Sequence, residues 1–154
     1  MNLNFLRRFA FGANPKRIEH PLFGTALLME TKSGPYWEIE TVVWDRPFTV
    51  IIDTQGDEEP TLEQIDFYRR FTDDPDAAFA FASKLLIKEY EKWTGRSFPS
   101  HWKTAFAFVG LSIPLAGNPR NVWDLSFDCL TDSAGHQFTC CVENGEPSHV
   151  TVDG

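Results

Sequence analysis

The sequence predicts a single-domain α+β protein in which an antiparallel sheet carries two helices packed on one face. The chain has 154 residues, which is enough to bury a core and favours one domain. Segments of strand type lie on both sides of one stretch with helical periodicity, in the order three strands, two helices and three to four strands. Hydrophobic residues make up 42% of the chain, so it has enough apolar surface to offset the entropy of folding.

The first group of strands is predicted to be an antiparallel meander over residues 23–31, 36–44 and 48–53. Turn-forming residues separate these segments. In the middle segment Trp37 and Glu38 begin an alternation that places apolar and acidic side chains on opposite faces.

The chain before the meander is interpreted as an N-terminal arm. Residues 1–20 form this arm, which ends in a polar lead-in at residues 17–20, and residues 21–154 form the single α+β domain. Two arginines lie inside the apolar stretch of the arm and not ahead of it, an arrangement that is wrong for a secretory signal peptide.

The first helix is predicted from a capping box. Thr61 has the side chain of an N-cap residue, and Gln64 follows at the spacing of the box. Apolar residues then recur at helical spacing for about three turns, and they are expected to face the core. The members of this stripe are Leu62, Ile65, Tyr68 or Phe67, and Phe71.

The second helix is predicted to begin at Asp74 and Pro75 and to end at Gly95. Aspartate caps the helix, proline suits its first position, and glycine adopts the left-handed conformation that ends it. A stripe of larger apolar residues at steps of three and four predicts the buried face. Its members are Phe79, Ala82, Leu86, Tyr90 and Trp93.

The second group of strands is predicted over residues 105–113, 122–129 and 136–142. The pair Asn144-Gly145 is a strong hairpin signal. Residues 150–152 then form either a short last strand or a tail.

The composition excludes several classes of partner. The net charge is −8 and the pI is about 4.9, so nucleic acid and anionic membranes are not expected as partners. A basic protein would be attracted and steered. Three cysteines without a disulfide framework suit a reducing compartment, and no segment has the apolar length of a transmembrane helix. We therefore expect a cytoplasmic protein with a protein partner, while its oligomeric state stays open.

Acidic residues cluster between the meander and the second helix. Helix dipoles explain those at helix starts, such as Glu63, Asp74 and Asp76, without any partner. Residues 57–59 lie in a loop where like charges repel, so the alternative interpretation is a docking edge for a basic surface. Trp44 and Trp102, beside turns, are candidate aromatic anchors. The predicted partner-binding residues are Asp57, Glu58, Glu59, Glu63, Asp66, Asp73, Asp74, Trp44 and Trp102.

No common catalytic, cofactor or metal motif is present in the sequence, so we expect neither an enzyme nor a cofactor. An alternative is a small enzyme that uses Cys141 (or Cys129) with His136 as base and Asp128 nearby. Asp124 and Asp128 with His136 could form a weak metal site, but a solvated strand face explains them more simply, and no metal is expected.

Short motifs give the chain a resemblance to known proteins. These are His20-Pro21-Leu22-Phe23-Gly24, Trp37, the run Pro60-Thr61-Leu62-Glu63-Gln64, and Tyr90. With this order of elements, residues 21–142 resemble a group of small uncharacterised bacterial domains that includes immunity proteins of polymorphic and contact-dependent toxin systems. The resemblance implies an inhibitor that neutralises a toxin by binding it, and it supplies no catalytic residues. A self-associating scaffold protein is a further alternative.

Overall fold

The computed structural model describes residues 15–154, and it confirms the α+β class. The two helices lie between two groups of four strands, so the predicted three strands before the helices, and three to four after them, undercount the sheet. The predicted arm lies largely outside the described residues. The elements are β1 Arg17–His20, β2 Gly24–Thr31, β3 Gly34–Val43, β4 Arg46–Asp53, α1 Leu62–Thr72, α2 Pro75–Thr94, β5 Phe106–Ile113, β6 Trp123–Cys129, β7 Gln137–Glu143 and β8 Glu146–Asp153.

The strands form one eight-stranded sheet in chain order. Neighbouring strands are antiparallel except β4 and β5, which are parallel, so the prediction of a purely antiparallel sheet is wrong at this pair. The helices cause the exception, because they carry the chain from the end of β4 back to the end of the sheet where β4 began. This parallel pair joins the two meanders into a continuous sheet.

Two polar edge strands differ from the sequence interpretation. Residues 17–20 were assigned to a polar lead-in, but they form β1 and pair with β2. At the other edge β8 covers Glu146–Asp153 and pairs with the whole of β7, so the last strand exists, but it is longer than the predicted residues 150–152. Edge strands bury little apolar surface, and their sequences therefore carry little of the pattern by which inner strands are recognised.

The helix signals were accurate at the ends and less so along the buried stripes, since Trp93, predicted on the buried face of the second helix, is 47% exposed. Both halves of the capping box at Thr61 form, and Asp74 caps α2, which Gly95 ends with a φ of 67°. In α1, however, Phe67 and Phe71 are buried, whereas Leu62 is 76% exposed. Leu62 is the first residue of α1, directly after the N-cap Thr61, and it precedes the buried residues of the helix.

The core lies between the two helices and one face of the sheet, and it is dominated by aromatic rings. Phe106, in β5, lies at its centre. Its ring centroid is 5.2–6.5 Å from those of five other rings, most of them in edge-on or tilted contact. These rings belong to Phe79, Tyr90, Phe98, Phe127 and Phe138.

The opposite face of the sheet carries polar side chains from its inner strands. Asp124, Ser126 and Asp128 of β6 lie on this face, each partly buried. Neither helix in the described part of the chain is long and apolar enough to span a membrane.

Candidate functional site

The loop after β4 and the first turns of α1 carry a group of exposed carboxylates that we call the acidic patch. It consists of Asp57, Glu58, Glu59, Glu63 and Asp66. Glu63 and Asp66 are three residues apart on α1, so they share one side of the helix. The structure thus brings together five of the predicted binding residues.

The backbone beside the acidic patch is held by hydrogen bonds from three side chains. Trp37 Nε1 donates to the carbonyl oxygen of Glu58 at 2.8 Å, and Thr54 Oγ1 donates to the same oxygen at 2.9 Å. The buried side chain of Gln64 donates to the carbonyls of Asp53 and Pro114 at 2.7 and 3.0 Å. Because these donors fix the loop from below, its carboxylates project from a rigid base.

Ion pairs within the described part of the chain involve only one residue of the acidic patch. Asp57 forms an ion pair with Lys16, which lowers the pKa of its carboxyl group. Within residues 15–154, no ion pair involves Glu58, Glu59, Glu63 or Asp66. These four side chains remain available to positive charges on another molecule.

The other predicted acidic residues lie apart from the patch. Asp73 and Asp74 are at the far end of α1, which at 1.5 Å per residue is roughly 16 Å from its start. Asp74 caps α2 by accepting a hydrogen bond from the Ala77 N–H at 3.0 Å. Asp76 beside them pairs with Lys103 at 3.3 Å. The helix-dipole interpretation therefore accounts for Asp74 and Asp76, whereas Asp73 lies at the C-terminal cap of α1.

Neither candidate tryptophan belongs to the acidic patch. Trp44 is 42% exposed, but it lies at the turn between β3 and β4, seven strand residues from Asp53, a distance of roughly 23 Å. Trp102 is half-buried, because its ring stacks on Phe79 at 4.8 Å and its Nε1 donates to Asp76 at 2.8 Å. Trp102 thus has a structural role, and Trp44 is exposed at a different place.

An exposed leucine in the middle of the patch was missed by sequence reasoning, which assigned it to the buried stripe. Leu62 directly precedes Glu63, and its side chain is among the most exposed apolar groups in the described residues. An apolar centre with a charged rim is the usual arrangement of a protein interface. The signal for Leu62 was its position directly after the N-cap, where a helix has not yet packed.

The residues of the alternative enzyme site are brought together only in part. The Cys129 N–H donates to the His136 carbonyl oxygen at 2.9 Å, but the Cys129 thiol is buried in the core and the His136 ring pairs with Asp132. Cys141 and His136 are five residues apart along the chain, roughly 17 Å if the segment is extended. Cys141 lies instead beside Asp124 and opposite His149. Burial first, and then the charge of Asp124, raise the pKa of the Cys141 thiol, whereas a cysteine nucleophile needs a lowered pKa. The weak metal site of Asp124, Asp128 and His136 does not form either, because His136 pairs with Asp132.

The contact of His136 with Asp132 gives a pH prediction. The Ala134 N–H, His136 and Trp93 all bond to Asp132 and lower the pKa of its carboxyl group. The stabilisation that the ionised Asp132 carboxylate provides is therefore complete at a pH above the pKa of the unfolded state, near 3.8. It is lost as the pH falls through the lower pKa of the folded state. We expect Asp132→Asn to lower the free energy of unfolding at pH 6 and to have less effect at pH 2.5, measured by urea denaturation. An equal effect at both pH values would contradict this account.

Comparison with known proteins adds no relative. No protein-family model, curated protein or solved structure matches this chain.

Proposed function

We propose that this protein is a binding domain that neutralises a basic partner protein by docking it on the acidic patch. In the form suggested by the sequence resemblance, the protein is a cytoplasmic immunity protein and the partner is a toxin domain. The observation that carries the proposal is the group of exposed carboxylates around the exposed Leu62, of which only Asp57 has an ion-pair partner within residues 15–154.

Electrostatics and apolar contact would have separate roles in this complex. The carboxylates, together with the net charge of −8, would attract a basic surface and raise the association rate. Leu62 would be buried on binding and would slow dissociation, because affinity differences among variants of one interface lie mostly in the dissociation rate. A toxin whose active site is basic, such as a nuclease, would be blocked where its substrate binds.

The first test compares two triple variants that change the net charge by the same amount. Glu58→Gln/Glu59→Gln/Glu63→Gln neutralises the patch, and Glu30→Gln/Glu146→Gln/Asp153→Asn neutralises exposed carboxylates on strands elsewhere. The partner is captured from the source organism and purified, and its association is measured by stopped flow. We expect the patch variant to associate roughly 10-fold more slowly at low salt, and the control to stay within about 2-fold of the wild type. Equal slowing of both variants would contradict docking on the patch.

The second test concerns Leu62. Leu62→Ala is expected to raise the dissociation rate constant by about 10-fold and to leave the association rate and the free energy of unfolding nearly unchanged. Leu130→Ala removes another exposed leucine and serves as the control. If the two variants dissociate at the same rate, Leu62 is not in the interface.

Neutralisation is tested in cells. The partner domain is expressed in a bacterium with the wild-type protein or with the patch variant. We expect growth arrest by the partner alone, rescue by the wild type and weaker rescue by the patch variant. A partner that binds on the patch but does not arrest growth would leave the binding role in place and remove the immunity role.

A further inference from the structure

Three side chains with metal-binding atoms converge on the last hairpin of the sheet. They are Cys141 and Glu143 of β7 and His149 of β8. One ligand atom from each, a sulfur, a carboxylate oxygen and an imidazole nitrogen, can be chosen so that all lie within 4.8 Å of one another. The group is therefore compact enough to surround one ion after small side-chain rotations, since ligand atoms of a tetrahedral zinc ion are about 3.3–3.8 Å apart.

The strand backbone places these residues together. Cys141 and His149 are direct partners across β7 and β8. Glu143 is two residues beyond Cys141 on the same strand and therefore on the same face. A register irregularity between Cys141 and Val142 is essential, because an ideal two-residue turn at Asn144-Gly145 would pair Cys141 with Ser148 instead. The irregularity thus turns His149 towards the thiol.

A hydrogen bond sets the state of the imidazole. The Ser148 hydroxyl donates its single proton to the Cys141 carbonyl oxygen at 3.3 Å. The same oxygen lies 2.8 Å from His149 Nδ1. In the tautomer with the proton on Nδ1, this nitrogen donates to the Ser148 oxygen and the lone pair for a metal ion is on Nε2. A hydrogen bond to the second ring nitrogen is the usual support for a histidine ligand.

The charges around the thiol also favour a cation. Asp124 is the direct partner of Cys141 on β6, and Glu143 lies two residues along β7, so two carboxylates flank the thiol. The ligand types select the metal, because thiolate and imidazole prefer zinc and similar transition metals, whereas magnesium and calcium require oxygen ligands.

We propose that Cys141, Glu143 and His149 form a binding site for Zn²⁺ that ties the edge strand β8 to β7. On binding, the thiol releases its proton to the solvent and a zinc–sulfur bond forms, so one proton appears for each ion bound. Three protein ligands leave a fourth position open for water or for the neighbouring Asp124. The proposal is independent of the acidic patch, and it departs from the sequence expectation that the protein binds no metal.

The test uses the full chain, reduced with a phosphine, and Zn²⁺ or Co²⁺ alone as the probe. We expect one Zn²⁺ per chain by calorimetry, with about one proton released according to titrations in buffers of different ionisation enthalpy. Bound Co²⁺ should show a thiolate charge-transfer band. Saturating Zn²⁺ should raise the thermal midpoint, since a ligand that binds the native state stabilises it.

Matched variants locate the site. Cys141→Ser should abolish the charge-transfer band, whereas Cys140→Ala, which removes the neighbouring buried thiol, should retain it. His149→Gln and Glu143→Gln should each weaken Zn²⁺ binding by roughly 10-fold or more, and the controls His101→Gln and Glu146→Gln should not. Circular dichroism confirms that each variant is folded. A Co²⁺ spectrum without the thiolate band, or wild-type Zn²⁺ affinity in Cys141→Ser, would overturn the proposal.

Discussion

Replacing Phe106 with alanine is expected to lower the free energy of unfolding by about 3–5 kcal/mol. The ring is almost fully buried and lies at the centre of the aromatic core, in contact with both the second helix and neighbouring strands. Its removal loses the transfer free energy of the ring and leaves a cavity that stiff aromatic neighbours fill poorly.

Urea denaturation measures this change directly. The midpoint of the transition should fall while the slope with denaturant stays constant, because the surface exposed on unfolding is nearly the same. Leu62→Ala provides the control, and it should cost less than about 0.5 kcal/mol because this leucine is exposed. A loss below about 1.5 kcal/mol for Phe106→Ala would mean that the core around β5 is loosely packed.

Gly117→Ala is expected to be about 1–3 kcal/mol more destabilising than Gly95→Ala. The two glycines have nearly the same left-handed φ, 64° and 67°, so alanine suffers similar backbone strain at both. A Cβ at position 117 would lie 2.7 Å from the carbonyl oxygen of Glu63, whereas a Cβ at position 95 meets nothing within 4 Å. The difference between the variants therefore isolates the clash with the start of α1.

The same comparison connects the fold to the proposed site. The Glu63 backbone would have to move in Gly117→Ala, and with it the side chains of Leu62 and Glu63. We expect slower partner association in Gly117→Ala than in Gly95→Ala, measured at a temperature where both are folded. Equal unfolding free energies for the two variants would show that the turn at residues 115–117 does not press against α1.

Local signals in the sequence were reliable where the structure is determined locally. The capping box at Thr61 and Gln64 and the cap at Asp74 depend on residues within a single turn, so they could be predicted from spacing alone. The alternation in β6 was equally clear, since each apolar side chain faces the core. The parallel pairing of β4 with β5 depends on how the helices cross the sheet, which no short segment encodes.

The candidate functional residues also divide into those that local sequence signals reveal and those that only the whole fold brings together. The acidic patch was visible as a run of charge, but Asp73 and Asp74 could be separated from it only when the length and direction of α1 were known. The Cys141–His149 pair needs the register of β7 and β8, including one irregular position. From the sequence alone, His136 was expected to be the partner of Cys141, because it lies closer along the chain than His149. An extended strand, however, separates His136 from Cys141.

The most direct test of docking on the acidic patch is zero-length carbodiimide cross-linking of the complex, followed by peptide mass spectrometry. This reagent joins carboxylates to amines only where they are in contact, so it reports the position of the partner's lysines. The account predicts amide links from Glu58, Glu59, Glu63 or Asp66 to the partner, and their disappearance when the complex is dissociated by salt. Links confined to carboxylates of the strands or of the α1–α2 junction would contradict it.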